Sequence, residues 1–294
     1  MKTQATAVRI SFENVLFATD FNATSKAALP YALSVARRYG SKVYIAHVIA
    51  LSPFSSPAPT GAMRAIEAQA IREAKEAAME LGPVFGHTPN EVLIRKGDVW
   101  KELSDIVGQK QIDLIVVGTH GRQGMGKVIM GSVAERIFRH APCPVLTIGP
   151  GIRGEPDRFA ELHTILVPTD FSPESLSGVA FATSLARAHQ ARLYLLHVTR
   201  GDDAPVTSLK TALHNMTASE TDLPFATKVF VEAGIPSRKI LDLADELAVD
   251  LIVLGVKAPS LLKGTSTHQA MATACNVVSA AGCPVITVRQ SAQL

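Results

Sequence analysis

Cysteine is scarce: the 294 residues hold only Cys143, Cys275 and Cys283, an odd number, and none sits in a C-x-x-C pair. That pattern excludes a readable disulfide framework or cysteine-based zinc site, and it fits a reducing compartment. Charge of one sign is scarce too. The formal net charge is +3, with Lys and Arg interleaved among acids, so no basic surface for nucleic acid is indicated. Residues 1–13 carry a lysine but no apolar h-region, so no secretory signal is legible. No apolar run approaches the roughly 20 residues that would cross a bilayer. The expected location is the cytoplasm, with neither nucleic acid nor membrane as partner. H-E-x-x-H, G-x-S-x-G and clustered His/Cys/Asp sets are also missing, which removes support for metal-assisted hydrolysis and triad catalysis.

What is present is apolar and repetitive. Apolar residues make up 47% of the chain and charged residues 19%, enough for well-filled cores. The length suits two domains of roughly 150 residues. Val15–Phe21 (VLFATDF) returns as Ile165–Phe171 (ILVPTDF), and Tyr44–Val48 (YIAHV) as Tyr194–Val198 (YLLHV), both 150 positions on. Asp113–Gly118 (DLIVVG) returns as Asp250–Gly255 (DLIVLG), and Cys143–Thr147 (CPVLT) as Cys283–Thr287 (CPVIT). Four blocks in the same order make the chain two copies of one unit. The boundaries read as 1–150 and 162–294, with a charged, Gly- and Pro-containing linker at 151–161.

Within copy one, short apolar runs predict strands at Val15–Ala18, Val43–Val48, Val92–Ile94, Leu114–Val117 and Val145–Ile148. Helical spacing predicts helices at Ser25–Tyr39, Ala62–Leu81, Val99–Lys110 and Ser132–His140. Strand and helix in alternation specify an α/β unit, a parallel sheet with helices on both faces. In copy two, Leu193–Val198, Ala226–Val231, Leu251–Leu254 and Val285–Val288 fill the matching strand positions.

Ligands of such sheets bind beyond the carboxyl ends of the strands, so the loops after the first and fourth strands carry the functional interest. The fourth strand of copy one runs into Gly118-Thr-His-Gly-Arg-Gln-Gly-Met-Gly-Lys-Val-Ile-Met-Gly131-Ser132. A glycine-rich stretch feeding a helix N-terminus offers main-chain N–H groups and a partial positive charge, which suits phosphate. Ser132 with Glu135 also fits an S-x-x-E capping box, a purely structural role. Gly121–Lys127 matches seven positions of a Walker A loop, but Val128 stands where Ser or Thr should hold magnesium, and the stretch follows the wrong strand. Arg122 and Lys127 can approach phosphate oxygens or simply be solvated. Asp20, repeated as Asp170, is placed either to accept from a ribose or to brace the first turn of a helix. His47 and His197 read as packed or loop-bonded.

With these motifs in hand, the sequence resembles the universal stress protein family in its tandem, two-domain form, over nearly the whole chain. The family's ATP-binding branch carries G-x2-G-x9-G-(S/T), matched in full by Gly118, Gly121, Gly131 and Ser132. The resemblance implies a five-stranded parallel sheet of order 3-2-1-4-5 in each copy. It implies ATP with adenine near Ala18 and the backbone of Val48, and ribose near Asp20, beside Thr19, and Gly118. Phosphates would lie on Gly121, Gly131, Ser132 and Val133, with Val117, Thr119 and His120 lining the turn and Arg122 nearby. Magnesium, where bound, would sit on the phosphates. Copy two departs: Ala258 replaces the second glycine, His268 and Gln269 occupy the Gly-Ser positions, and Gly264-Thr265 arrives too early. One site per chain is expected.

Three functions follow from these readings. The leading one is an ATP-binding regulatory protein of the stress response acting through an unknown protein partner. A slow ATPase would use the same site, with Asp20 and His120 as its only candidate bases. A nucleotide-independent scaffold would use the final strands, Val145–Ile148 and Val285–Val288, as pairing edges. In the family such edges form dimers, so the copies are expected to pair within the chain, and chains to pair again. The Ser- and Pro-rich loop at 51–61 has no assigned role.

Overall fold

In a computed structural model of the chain, the described residues are 10–50, 61–119, 131–153, 155–199, 201, 205–218, 223–257 and 265–289. Copy one contains β1 (Asn14–Ala18), α1 (Ala23–Lys26), α2 (Leu29–Tyr39), β2 (Lys42–Ala50), α3 (Gly61–Phe85), β3 (Asn90–Gly97), α4 (Val99–Gln109), β4 (Leu114–Gly118), α5 (Ser132–His140) and β5 (Val145–Ile148). A 3-10 turn at Pro156–Ala160 leads to copy two. There follow β6 (Thr164–Pro168), α6 (Pro173–His189), β7 (Arg192–Thr199), α7 (Val206–Thr217), β8 (Lys228–Ala233), α8 (Pro236–Glu246), β9 (Leu251–Gly255), α9 (Thr265–Ala280) and β10 (Val285–Val288).

Each copy has the expected strand order: β3-β2-β1-β4-β5 and β8-β7-β6-β9-β10, parallel throughout. The two sheets are not separate. β5 and β10 pair antiparallel, with Ile286 opposite Leu146, so the chain forms a single ten-stranded sheet. The last strands therefore bury the edges they would otherwise expose. Strand side chains alternate between two apolar layers. One layer takes Phe17, Val116, Leu146, Ile286 and Val253 under α2 and α6. The other takes Leu16, Ile115, Val145, Val285 and Ile252 under α4, α5, α8 and α9. Both layers run across the junction.

The copies differ where proline differs. The single helix expected over 25–39 is broken between α1 and α2. Pro30 lies at the second position of α2, where it lacks an N–H and its ring opposes a continuous preceding turn. Copy two has Ala180 at that place, and α6 runs unbroken for 17 residues. Pro83 falls in the last turn of α3, which extends past Leu81 to Phe85.

The segment joining the copies is anchored. Phe159 and Leu162 are buried among residues of α2 and α6. Tyr39 and His189, equivalent residues at the ends of α2 and α6, meet at 2.8 Å, Oη to Nε2. Leu162 N–H donates to the Nδ1 of His189 at 3.4 Å, so Nε2–H is left to donate to the tyrosine oxygen. Burial, with Arg38 adding to it, pushes the His189 pKa down to about 4.

Candidate nucleotide site

The carboxyl ends of β1 and β4 lie side by side, with Ala18 paired to Val117 in register. At β1, Thr19 N–H donates to the carbonyl of Ala46 at 3.0 Å. The hydroxyls of Thr19 and Ser25 meet at 2.9 Å, and Phe21 N–H donates to the Thr19 hydroxyl at 2.9 Å. His47 Nδ1 lies 2.9 Å from the Thr19 carbonyl, and its ring packs on Phe21 at 4.9 Å. His47 is thus packed and loop-bonded, as its position predicts.

Asp20 is exposed, and its carboxylate accepts from Asn22 N (3.1 Å) and Asn22 Nδ2 (2.8 Å). Asn22 in turn caps α1 by accepting from Ser25 N at 2.7 Å. The bracing role of Asp20 is therefore present. Copy two repeats it: Asp170 accepts from Ser172 N at 3.1 Å and from the Ser172 hydroxyl at 2.5 Å. His197 again faces the Thr169 carbonyl, at 2.8 Å. Because the arrangement recurs in the copy without the glycine loop, it does not by itself mark a nucleotide.

The same holds for the first glycine of the motif. A Cβ on Gly118 would lie 2.7 Å from the carbonyl oxygen of Thr24, because α1 sits directly on the end of β4. On Gly255 it would lie 1.9 Å from the carbonyl oxygen of Glu174. Only glycine permits either approach. Val117 is buried beside Gly118, and Thr119 is fully buried, its N–H donating to Ile148 O at 2.9 Å. Val48 packs against the α4–α5 layer.

The start of α5 does separate the copies. Its N-cap is Gly131 (φ −61°, ψ 149°), not Ser132, and no side chain caps it. The capping box expected of Ser132 and Glu135 does not form. Ser132 is already inside the first turn, and Glu135 turns forward to accept from Arg139 Nε at 2.8 Å. Ser132 and Val133 are exposed, while Ala134 is buried. The first turn of α5 thus has no side-chain cap among the described residues, the condition under which a helix end attracts an anion. Arg136, which the sequence reading passed over, ties α5 to Asp98, the N-cap of α4, at 3.1 Å. The signal available for it was the capping aspartate directly after β3. His120, Gly121 and Arg122, with Lys127 and Val128, lie outside the described residues, as do residues 51–60 and Ala258.

In copy two the equivalent helix is longer at its start. α9 has 16 residues against nine in α5, and both end just before the matched alanines Ala281 and Ala141. His268 and Gln269, the positions counted as Gly-Ser, lie inside α9. They are the fourth and fifth residues of α9, where amides are committed to carbonyls four residues back and cannot serve an external phosphate.

A cavity of about 180 Å³ opens at the opposite end of the strands, between the copies, lined by Tyr31, Arg153, Glu155, Asp245, Asp250 and Cys283 among others. Three carboxylates against one guanidinium make it unsuited to a polyanion.

An α/β unit of order 3-2-1-4-5, doubled through its fifth strand, is a doubly wound architecture of the kind whose ligands bind beyond the carboxyl ends of the strands. The family model described as the universal stress protein family matches residues 11–149 and again 161–289, and the chain belongs to that family in tandem form. A universal stress protein of Methanocaldococcus jannaschii is 32% identical over 144 residues, 47% of this chain and 82% of that one. A putative universal stress protein of Staphylococcus haemolyticus is 29% identical over 170 residues, 56% of this chain and 93% of that one. The crystal structure of a universal stress protein from Archaeoglobus fulgidus superposes with TM-score 0.73 at 21% identity, covering 94% of this chain and 98% of that one, a likeness of fold.

Proposed function

We propose that the chain is an ATP-binding regulatory protein of the stress response, with residues 1–150 holding the nucleotide and residues 162–294 carrying a degenerate loop. The observation that carries this reading is the start of α5, where Gly131 brings no side-chain cap and Ser132 and Val133 are exposed. The motif spacing from Gly118 to Ser132 supports the same end as the phosphate site. Ala18, Thr19, Asp20, Val48 and Gly118 would lie on the nucleoside side, with Val117, Thr119 and His120 lining the turn. Gly121, Gly131, Ser132 and Val133 would meet the phosphates, with Arg122 nearby. These residues fit a nucleotide on one count of chemistry: the first turn of α5 offers main-chain donors suited to phosphate, and Asp20 is an exposed carboxylate at the carboxyl end of β1. Asp20 accepts from Asn22 at the carboxyl end of β1, where a ribose would lie.

Magnesium would ride on the phosphates, because the described residues contain no group of three His, Cys, Asp or Glu able to hold a metal. ATP regulates only by contacting one conformation better than another. Since β5 and β10 already pair with each other, a second chain would have to join at β3, β8 or a helical face. Among the described residues no helix is long and apolar enough to cross a membrane, and the cytoplasm is the proposed location.

Mass spectrometry of freshly purified, denatured protein should release an adenine nucleotide. Ser132→Glu places a carboxylate where phosphate would bind, yet an acid in the first turn suits the helix dipole. ATP affinity should fall at least about tenfold while Tm stays level or rises slightly. A parent protein that ignores added ATP ends this reading.

A further inference from the structure

Arg289 directly follows β10, and its guanidinium reaches from copy two into copy one. Nε donates to the carbonyl of Ala141 at 2.8 Å, and Nη2 donates to the carbonyl of Phe138. Nη1 donates to the carbonyl of Lys257 at 2.6 Å, just beyond β9. Phe138 and Ala141 present the carbonyls at the end of α5, which no intrahelical N–H can satisfy. A cation at that end also complements the helix dipole. The rigid guanidinium fork, fixed by three carbonyls at once, sets direction as well as distance.

The matching position in copy one is Gly149. A Cβ there would lie 3.4 Å from Val278 O and 3.9 Å from Ala281 O, the counterparts in α9 of Phe138 and Ala141. Both helix ends are thus approached by the other copy's last strand, but a side chain holds only one. The helix so held is α5, whose opposite end is the first turn without a side-chain cap. The unheld helix is α9, whose matching amides are internal.

We propose that Arg289 is a positioning residue for the nucleotide site of copy one. Copy two, without a phosphate loop of its own, holds α5 at the depth and angle that aim its first amides at phosphate. This role rests on the nucleotide reading above. It makes the occupied copy dependent on the copy that has lost its site.

The test uses the full chain, ATP titrated calorimetrically, and hydrogen exchange of α5 amides without nucleotide. Arg289→Gly, which gives copy two the residue copy one carries, should weaken ATP binding about tenfold, equal to about 1.4 kcal/mol. It should also speed exchange in α5 more than in α9. Arg289→Lys keeps the charge without the fork and should recover part of the affinity. Tyr39→Phe, which removes a different bond between the copies, should lower stability and leave ATP affinity alone. That contrast separates positioning from simple stapling. A parent that binds ATP beside an equally tight Arg289→Gly overturns the role of Arg289 and leaves the nucleotide reading standing. A parent that binds no ATP overturns both. Should Arg289→Gly not fold, Arg289→Lys decides, and affinity equal to the parent's overturns the role.

Discussion

The two copies share a backbone plan and differ in what they do with one helix. In copy one the helix after the fourth strand is nine residues long and opens on glycine; in copy two it is 16 residues long. The loop after the first strand, by contrast, matches closely. Thr19, Asp20, Phe21 and His47 bond and pack as Thr169, Asp170, Phe171 and His197 do, and Phe21 and Phe171 even share a positive φ of 61° and 63°. Features common to both copies must therefore serve the fold, whatever else they do. Only features confined to one copy can speak for a site confined to one copy.

Three substitutions sharpen that division. The largest effect is expected at the glycines that end β4 and β9. Gly255→Ala forces a Cβ to within 1.9 Å of the Glu174 carbonyl oxygen, so α6 must move as a body. A loss of about 3 kcal/mol in denaturant unfolding is expected. Gly118→Ala meets Thr24 O at 2.7 Å and should cost less, about 1–2 kcal/mol. Equal costs, or none, would mean that the close approach of helix to strand is not what requires glycine there.

A smaller effect is expected at the junction, where Tyr39 of copy one meets His189 of copy two. The folded pKa of His189 is depressed to about 4 from an ordinary value of 6.5, so the unfolded chain takes up the proton first. The stability this provides is complete above pH 6.5 and is lost as pH falls from 6.5 towards 4. The loss should reach about 1–2 kcal/mol, since part of the ring remains open to water. His189→Gln should flatten that slope in denaturant midpoints collected across this pH range. A slope unchanged by the substitution would place its origin in other groups.

Much of this was legible in the sequence. The doubled α/β plan and the buried runs at Leu114–Val117 and Val145–Ile148 followed from repeats and apolar periods, which are local signals, whereas the strand order and the pairing of the last strands came from the family resemblance. The break before α2 lay within reach, because Pro30 announces it. The capping box was misplaced by one residue, since S-x-x-E does not reveal that Gly131 takes the N-cap. Thr265 arrives too early for a phosphate loop because it opens a longer helix, which the spacing alone does not reveal. Arg289 could not be read at all, because its partners Ala141 and Phe138 lie 148 and 151 positions away in the other copy.

The central claim is one nucleotide site per chain, at α5 and not at α9. Calorimetric titration of the full chain with ATP, carried to saturation, measures it directly. The account predicts one ATP bound per chain. Two per chain, or none, would contradict it.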